Sequence, residues 1–526
     1  MADQAIPKVA AGQAAERQPV VALRGVLWQP NIIVFISSGS IMILELVAGR
    51  IIAPHVGSSL YTWTSVIGVV LAGISLGNYV GGRLADRWAS LRLLGIIYLL
   101  AAAACLGVLW VDQVTRVTPR DWSIVVEVLA LTTALFFLPC AILGTLSPIV
   151  AKLAVSDLAK TGSTVGKIYA AGALGSIVGT FITGFVLISW FGTYNIIWGV
   201  TALLAAMGLL FLVGARWQSL LLAILLIGSG SVLALNQGWL KGPCLRETNY
   251  YCIKINYEGE ADNPIRLLVL DHLVHSYVDM QNPKALVYGY EKMYAEAAAY
   301  LANGHQDLSA LMIGGGGYTF PRYIEAVYPN STVDVVEIDP GVTKAAHDLL
   351  GLRQDTKIVT YNEDARLYLG RPPAKKYDMI LGDAFNHFSV PYHLTTKEFN
   401  DQVRRWLKPD GLYVVNIIDG PYGEFLRSYY HTLTLTFPHV YLAEGSSSWR
   451  DTLRTTFVLI ASDTPFDMEV LQTYDGGEYN TYLSRLFATP EEIERLLTEA
   501  PVYTLTDQFA PVDNMLASVF LEELRK

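Results

Sequence analysis

Charge is what this sequence has least of. Only 16% of its 526 residues are Asp, Glu, Lys or Arg, against roughly 25% in an average soluble protein, while 52% are hydrophobic. The shortage is concentrated before residue 240, where long apolar runs alternate with short polar breaks. A formal charge of -9 leaves no basic stripe, which excludes nucleic acid as a partner held by counterion release. Cysteine is scarce too. Four are too few for a disulfide scaffold, and none has zinc-ligand spacing, so no metal is expected. Cys105 and Cys140 lie in apolar runs and read as packing residues. Cys244 and Cys252, eight apart, are either two ordinary thiols or a disulfide on an oxidising face. The first 25 residues carry no compact apolar core, so residues 1–27 read as a disordered tail rather than a secretion signal.

What is abundant is apolar sequence in lengths that match a bilayer. A spanning helix requires roughly 20 mostly apolar residues, and seven segments qualify, near 31–53, 61–82, 91–111, 123–151, 168–190, 194–214 and 217–236. Residues 28–240 therefore read as a multi-pass α-helical domain of about seven helices, with the cell (inner) membrane and its lipid as surroundings. Pro139 and Pro148 predict a kink or a re-entrant bend in the fourth segment. Gly172, Gly175, Gly179 and Gly184 in the fifth predict close helix packing. Glu45, Arg50 and Glu127 are costly inside apolar runs, and Glu45 is expected to pair with a cation, line a polar pathway or stay neutral. The run Gly81 to Arg87 resembles the loop between the second and third helices of major facilitator transporters, although seven spans fall short of that family's twelve.

With a cytoplasmic N-terminus, Lys8, Arg17, Arg24, Arg83, Arg87, Arg92, Lys152, Lys160, Lys167 and Arg216 all fall inside, and only Arg116 and Arg120 fall in outer loops. Seven spans would then put the C-terminal half outside. One re-entrant segment would return it to the cytoplasm, and the sequence leaves both arrangements open.

From about residue 306, short apolar strands alternate with helical stretches, which predicts a mainly parallel sheet with helices on both faces. Leu308–Ile313 reads as the first strand and ends in Gly314-Gly315-Gly316-Gly317. Val333–Glu337, Lys357–Thr360, Tyr377–Leu381 and Gly411–Ile418 follow as strands, with a helix over Thr396–Leu407. A glycine turn after strand one lets a nucleoside approach the backbone, and an acid about twenty residues on, here Glu337, can hold both ribose hydroxyls. No Gly-Lys-Ser/Thr follows the glycines, and the third glycine of a dinucleotide fingerprint is missing, so an adenosyl ligand fits better than a nucleotide triphosphate or NAD.

These residues, with Leu270-Asp271, Val336-Glu337-Ile338-Asp339-Pro340, Glu363-Asp364-Ala365, Gly382-Asp383, Thr396-Lys397-Glu398-Phe399 and Leu407-Lys408-Pro409-Asp410-Gly411, resemble the spermidine synthase (polyamine aminopropyltransferase) family in a membrane-fused form. The resemblance implies a small N-terminal β-subdomain and connecting helix at 245–300, then a Rossmann-like transferase domain at 301–526. It implies a donor, decarboxylated S-adenosylmethionine or S-adenosylmethionine, held by Gly314, Gly315, Gly316, Glu337, Asp339, Asp364 and Ala365. Glu337 would take the ribose and Asp364 the adenine amino group, while Asp383 would accept a proton from the attacking amine. His275, Tyr290 and Asn386 would line the substrate site, with Glu291, His387 and Tyr392 as further candidates. A homodimer is compatible with it. Three departures stand out. Gly317 replaces the aspartate expected near an aminopropyl ammonium, Asn386 replaces the aspartate expected to hold the far amine of a diamine, and His275 replaces a gate glutamine. Three functions follow: an aminopropyltransferase, a methyl- or alkyltransferase using intact S-adenosylmethionine, or a transporter or sensor whose soluble half binds a nucleoside or polyamine without turnover.

Overall fold

The computed structural model describes residues 29–57, 60–116, 124–155, 158–213, 241–259, 264–385, 390–444, 449–477 and 481–517, with residues 229, 230, 236, 238 and 519 besides. The expected tail 1–27 and nearly all of the seventh apolar segment lie outside them. Among the described residues six helices are long and apolar enough to cross a membrane: Pro30–Val56, Leu60–Trp88, Leu91–Thr115, Val126–Ala154, Thr161–Trp190 and Thr193–Leu212. They are numbered here as spans one to six.

The fourth span is one helical run, Val126–Ala154, packed along the second span over its length rather than a re-entrant bend. Its helix changes to a π turn at Thr133–Phe137, just before Pro139, and breaks again at Thr145. Proline has no N–H to offer and its ring crowds the carbonyl four residues back, so a widened turn absorbs the misfit. In the fifth span Gly172, Gly175 and Gly179 face the first. A Cβ on Gly175 would lie 2.2 Å from the Phe35 carbonyl oxygen, so only glycine permits that approach. Gly184 has no neighbour within 4 Å of such a position and takes no part in it. The Gly81 to Arg87 run is the helical end of the second span rather than a loop, and Asp86 meets Lys152 at 3.5 Å.

Two sheets follow. The first is antiparallel and ordered β1 (Arg246–Glu247), β2 (Cys252–Glu258), β3 (Ile265–Leu270) and β4 (Leu273–Val278). Cys244 and Cys252 are joined as a disulfide at its start. A helix at Gly289–Ala302 leads to the second sheet, made of β5 (Ser309–Ile313), β6 (Thr332–Val336), β7 (Val359–Tyr361), β8 (Tyr377–Gly382), β9 (Leu407–Asp419), β10 (His439–Glu444) and β11 (Thr455–Ser462). Its order is β10-β11-β9-β8-β5-β6-β7, parallel from β9 to β7 and antiparallel across β10-β11-β9. The expected parallel strands are all present within two residues of their expected starts except β9, which begins four residues earlier. The antiparallel edge pair β10 and β11 was not anticipated.

Helices are started by residues that tie down loose N–H groups. Asp339 caps Pro340–Leu349 and Thr396 caps Lys397–Trp406, each through a side-chain oxygen. The order places β5 between β6 and β8: the chain runs outward from β5 through β6 to β7 on one side and crosses back to β8 on the other. A crevice opens at such a switch point, outside the carboxyl ends of the strands. Gly314 follows β5 there, Glu337 follows β6 and Asp383 follows β8.

Candidate active site

The cleft at these strand ends is lined by Gly314, Gly315, Gly316, Glu337, Asp364, Ala365 and Asp383, together with His275, Tyr290 and Glu291. Seven of the eight residues expected to hold the donor or act on it, and two of the three expected on the substrate side, thus meet in one cavity. Asp339 is the exception among the first group. It is 1% exposed, and its side chain caps a helix and accepts from the Thr248 hydroxyl instead of facing the cleft. Asn386 and His387 lie outside the described residues. Tyr392 is 58% exposed and not part of the lining, while its neighbour His393 is.

Glu337 is 6% exposed and accepts one backbone N–H on each oxygen, from Gly315 at 2.7 Å and Asp339 at 2.9 Å. Each oxygen keeps a lone pair for a further donor. Burial raises its pKa, with the Asp339 carboxylate adding to the rise, while the backbone N–H groups of Asp339, Gly315 and Gly316 work against it. Asp364 spends one oxygen capping the helix Ala365–Gly370 and turns the other toward His393 Nε2 at 3.3 Å.

Asp383 follows β8, and its backbone N–H continues the ladder by donating to the Ile313 carbonyl at 3.0 Å. The Asn416 side-chain amide donates to its Oδ1 at 2.9 Å. Burial pushes its pKa up to about 6, against hydrogen bonds from Asn416 and Tyr290. Close by, burial raises Glu291 well above the usual carboxyl range, and Asp383 adds to that rise. Glu291 is 4% exposed, and its Oε2 has no hydrogen-bond partner. Two carboxyls in a buried cleft, one oxygen unsatisfied, make a setting in which a cation or an N–H donor would be favoured. His275 Nε2 is also buried without a partner, and burial with the nearby Arg454 cation lowers that imidazole to about 4, so it is neutral at pH 7.

The glycine at 317 has a physical reason. Its N–H donates to the Ser276 hydroxyl at 2.8 Å, and a Cβ there would lie 2.7 Å from Ser276 Cβ and 2.8 Å from Val278 Cγ2. Strand β4 packs directly onto this position, so a carboxylate side chain has no room. Arg454 lines the cleft as well.

Asn416, Tyr251, Arg454 and His393 belong to the site but were not read from the sequence. Asn416 left a signal: it is the one polar residue in Leu412–Ile418, and a polar group buried in an apolar strand requires a partner. Tyr251 and Arg454 come from segments far from the glycine turn and gave none.

No family model matches the chain. A stretch of 108 residues is 39% identical to a polyamine aminopropyltransferase of Vibrio vulnificus, covering 20% of this chain and 36% of that relative. The chain thus matches about a third of that relative's length. A polyamine aminopropyltransferase of Corynebacterium efficiens is 26% identical over 395 residues, 70% of this chain and 72% of the relative. That match is longer than the soluble half and so reaches into the membrane half. The crystal structure of a probable spermidine synthase from Corynebacterium glutamicum is 22% identical, covers 49% of this chain and 95% of that one, and superposes with a TM-score of 0.42.

Proposed function

We propose, for a chain whose soluble half is spermidine synthase-like, that it is a membrane-anchored transferase moving an aminopropyl group from decarboxylated S-adenosylmethionine to an amine. The observation that carries the reading is the meeting of Glu337, Asp364 and Asp383 around one cleft at the switch point. In this reading Glu337 accepts from both ribose hydroxyls with its remaining lone pairs, and Asp364 Oδ2 accepts from the adenine amino group. Gly314 to Gly316 let the nucleoside lie against bare backbone. The acceptor enters as an ammonium beside Glu291 and Asp383. Asp383 takes a proton from it, the freed lone pair attacks the propyl carbon next to the sulfonium, and the C–S bond electrons return to sulfur. The products are the aminopropylated amine and 5′-methylthioadenosine. No metal is required, because the sulfonium is already a good leaving group.

A second reading rests on Gly317 and Arg454. Where an aspartate would attract an aminopropyl ammonium there is no room for one, and an arginine faces the cleft. An arginine in the cleft with no aspartate at 317 suits the carboxylate of intact S-adenosylmethionine, and the reaction would then be methyl or alkyl transfer. Incubating the full chain with each donor and a panel of amines separates the two. Release of 5′-methylthioadenosine supports aminopropyl transfer, and release of S-adenosylhomocysteine supports methyl transfer. Release of neither, with binding intact, would favour a non-catalytic sensor or transporter.

The span ends support a placement in the membrane. We divide the chain into a tail to residue 27, a membrane half to 240, the β-subdomain and helix of 245–300, and the transferase domain from 301. The soluble half rests on the C-terminal end of span one and on the start of span six, where Thr193 donates to Glu247. Gly242 lies beside Tyr194 at the start of span six, whereas span six ends near residue 213, about 30 Å away at 1.5 Å per residue. Arg83, Arg87, Arg92, Lys152, Lys160 and Lys167 gather at the opposite ends of the spans from the soluble half. By the positive-inside rule those ends are cytoplasmic, and the soluble half with its disulfide stands on the other, oxidising side. An epitope fused after Lys526 is therefore expected to bind antibody on intact spheroplasts. Detection only after permeabilisation would reverse this orientation.

A further inference from the structure

Arg50 is expensive where it stands. It lies six residues before the end of a 27-residue apolar helix, where a cation needs partners. Its partners are not in the membrane half. The guanidinium donates to the carbonyl oxygens of Thr248 and, at 3.3 Å, Asn249, both in the turn between β1 and β2. Other contacts fix the same turn. Ser189 donates to the Asn249 side chain at 2.9 Å, the Thr193 N–H and hydroxyl donate to Glu247, and the Cys244–Cys252 disulfide closes the loop.

The turn in turn touches the cleft's acid. The Thr248 hydroxyl donates to Asp339 Oδ2 at 2.5 Å, while Asp339 Oδ1 caps the next helix. The Asp339 backbone N–H donates to Glu337 Oε1 at 2.9 Å. Thr248 also packs tightly: a Cβ on Gly341 would lie 2.2 Å from its Cγ2. Arg50 is close enough to Asp339 and Asp271 for its charge to act on both, drawing their pKa values down against burial. An unbroken path of hydrogen bonds thus leads from the first span to the carboxylate assigned to the ribose. Three residues beyond Thr248, Tyr251 forms part of the cleft wall.

We infer that Arg50 is a positioning residue for the donor site: from the membrane half, it holds the Thr248 turn so that Thr248 and Asp339 keep the Glu337 carboxylate aimed into the cleft. The membrane half then serves as more than an anchor, because it supplies part of the support for nucleoside binding. The inference rests on the nucleoside reading of the cleft, and its test has one arm that does not.

The full chain in lipid nanodiscs is the material for both arms. With S-adenosylmethionine and its decarboxylated form as probes, Arg50→Ala is expected to weaken binding of whichever binds the wild type by roughly tenfold, the scale of one charge-assisted hydrogen bond. For turnover, the donor KM should rise about as much while kcat and the acceptor KM stay within about twofold. Thr248→Val, which keeps the shape and removes the hydroxyl, should reproduce the effect, and the double variant should be no worse than either single one. Arg50→Lys should recover most of the loss, and Lys152→Ala at the far end of the bundle should change nothing. The second arm is amide hydrogen exchange without ligand, in which residues 339–343 are expected to exchange about ten times faster in Arg50→Ala. Unchanged donor affinity together with unchanged exchange in well-folded Arg50→Ala overturns the inference. If the wild type binds neither probe, the nucleoside reading fails, and the exchange arm alone decides whether Arg50 holds the turn.

Discussion

Asp383→Asn is expected to lower turnover by roughly 10²–10⁴-fold, the usual worth of a positioned general base, and to leave donor affinity within about twofold. The asparagine has nearly the same shape, and its carbonyl can still accept from Asn416 Nδ2, so the cleft should keep its form. What is lost is a base. A free alkylamine is protonated at neutral pH and has no lone pair to attack with, so its proton must go to something. An aspartate at its ordinary pKa of 3.8 is a poor recipient. Burial lifts Asp383 to about 6, which shortens the uphill transfer by about 3 kcal/mol at 1.36 kcal/mol per pKa unit.

The same rise sets the pH profile. Asp383 must be ionised to accept a proton, so kcat/KM should fall about tenfold per unit as pH drops below about 6 and level off above it. The acid limb should vanish in Asp383→Asn. Wild-type turnover that is flat from pH 5 to 8, or an Asp383→Asn variant with normal rates, would remove this carboxylate from the mechanism.

Glu337→Ala should have the second large effect, this time on binding. Two hydroxyl hydrogen bonds to one buried carboxylate, each worth about 1.5–3 kcal/mol, correspond to a loss of at least a hundredfold in donor affinity by calorimetry. The change also strips partners from the Gly315 and Asp339 N–H groups, so some loss of thermal stability should accompany it. A well-folded Glu337→Ala variant that binds either nucleoside within threefold of the wild type would show that the ribose is not held there.

The glycine turn and the acids of the cleft were largely readable in the amino-acid order, because each part is local. A strand that ends in glycine, a strand that ends in acid and an aspartate before proline each announce a turn within a few residues. Glu337 and Asp383 came to the cleft for that reason. Asp339 shows the limit: its place in the motif suggested the ligand, but an aspartate directly before a helical proline is first of all a cap, and Thr248 occupies its other oxygen. The rest of the cleft was less legible. Tyr251 and Arg454 reach the cleft from segments far away in the chain and no local pattern marks them, whereas Asn416 is marked only as a lone polar residue in an apolar strand. The edge pair β10 and β11 escaped for a related reason, since an antiparallel hairpin beyond a parallel sheet carries no glycine turn of its own. In the membrane half, helix lengths were plain from hydropathy, but proline alone could not say whether the fourth segment bends back or, as it does, passes through with a π turn.

The soluble half sits at the ends of the spans away from the basic residues, and in the orientation and with the donor proposed above, the donor's electric charge matters before it reaches the cleft. Intact S-adenosylmethionine carries one net positive charge at neutral pH, and the decarboxylated form carries two. With the cell interior negative, each positive charge moved outward works against about 2.3 kcal/mol per 100 mV. Supplying the cleft with the doubly charged donor therefore costs twice as much electrical work as supplying the singly charged one. For a passive carrier in that orientation, collapse of the membrane voltage is expected to raise the supply of the decarboxylated form more than that of the intact one.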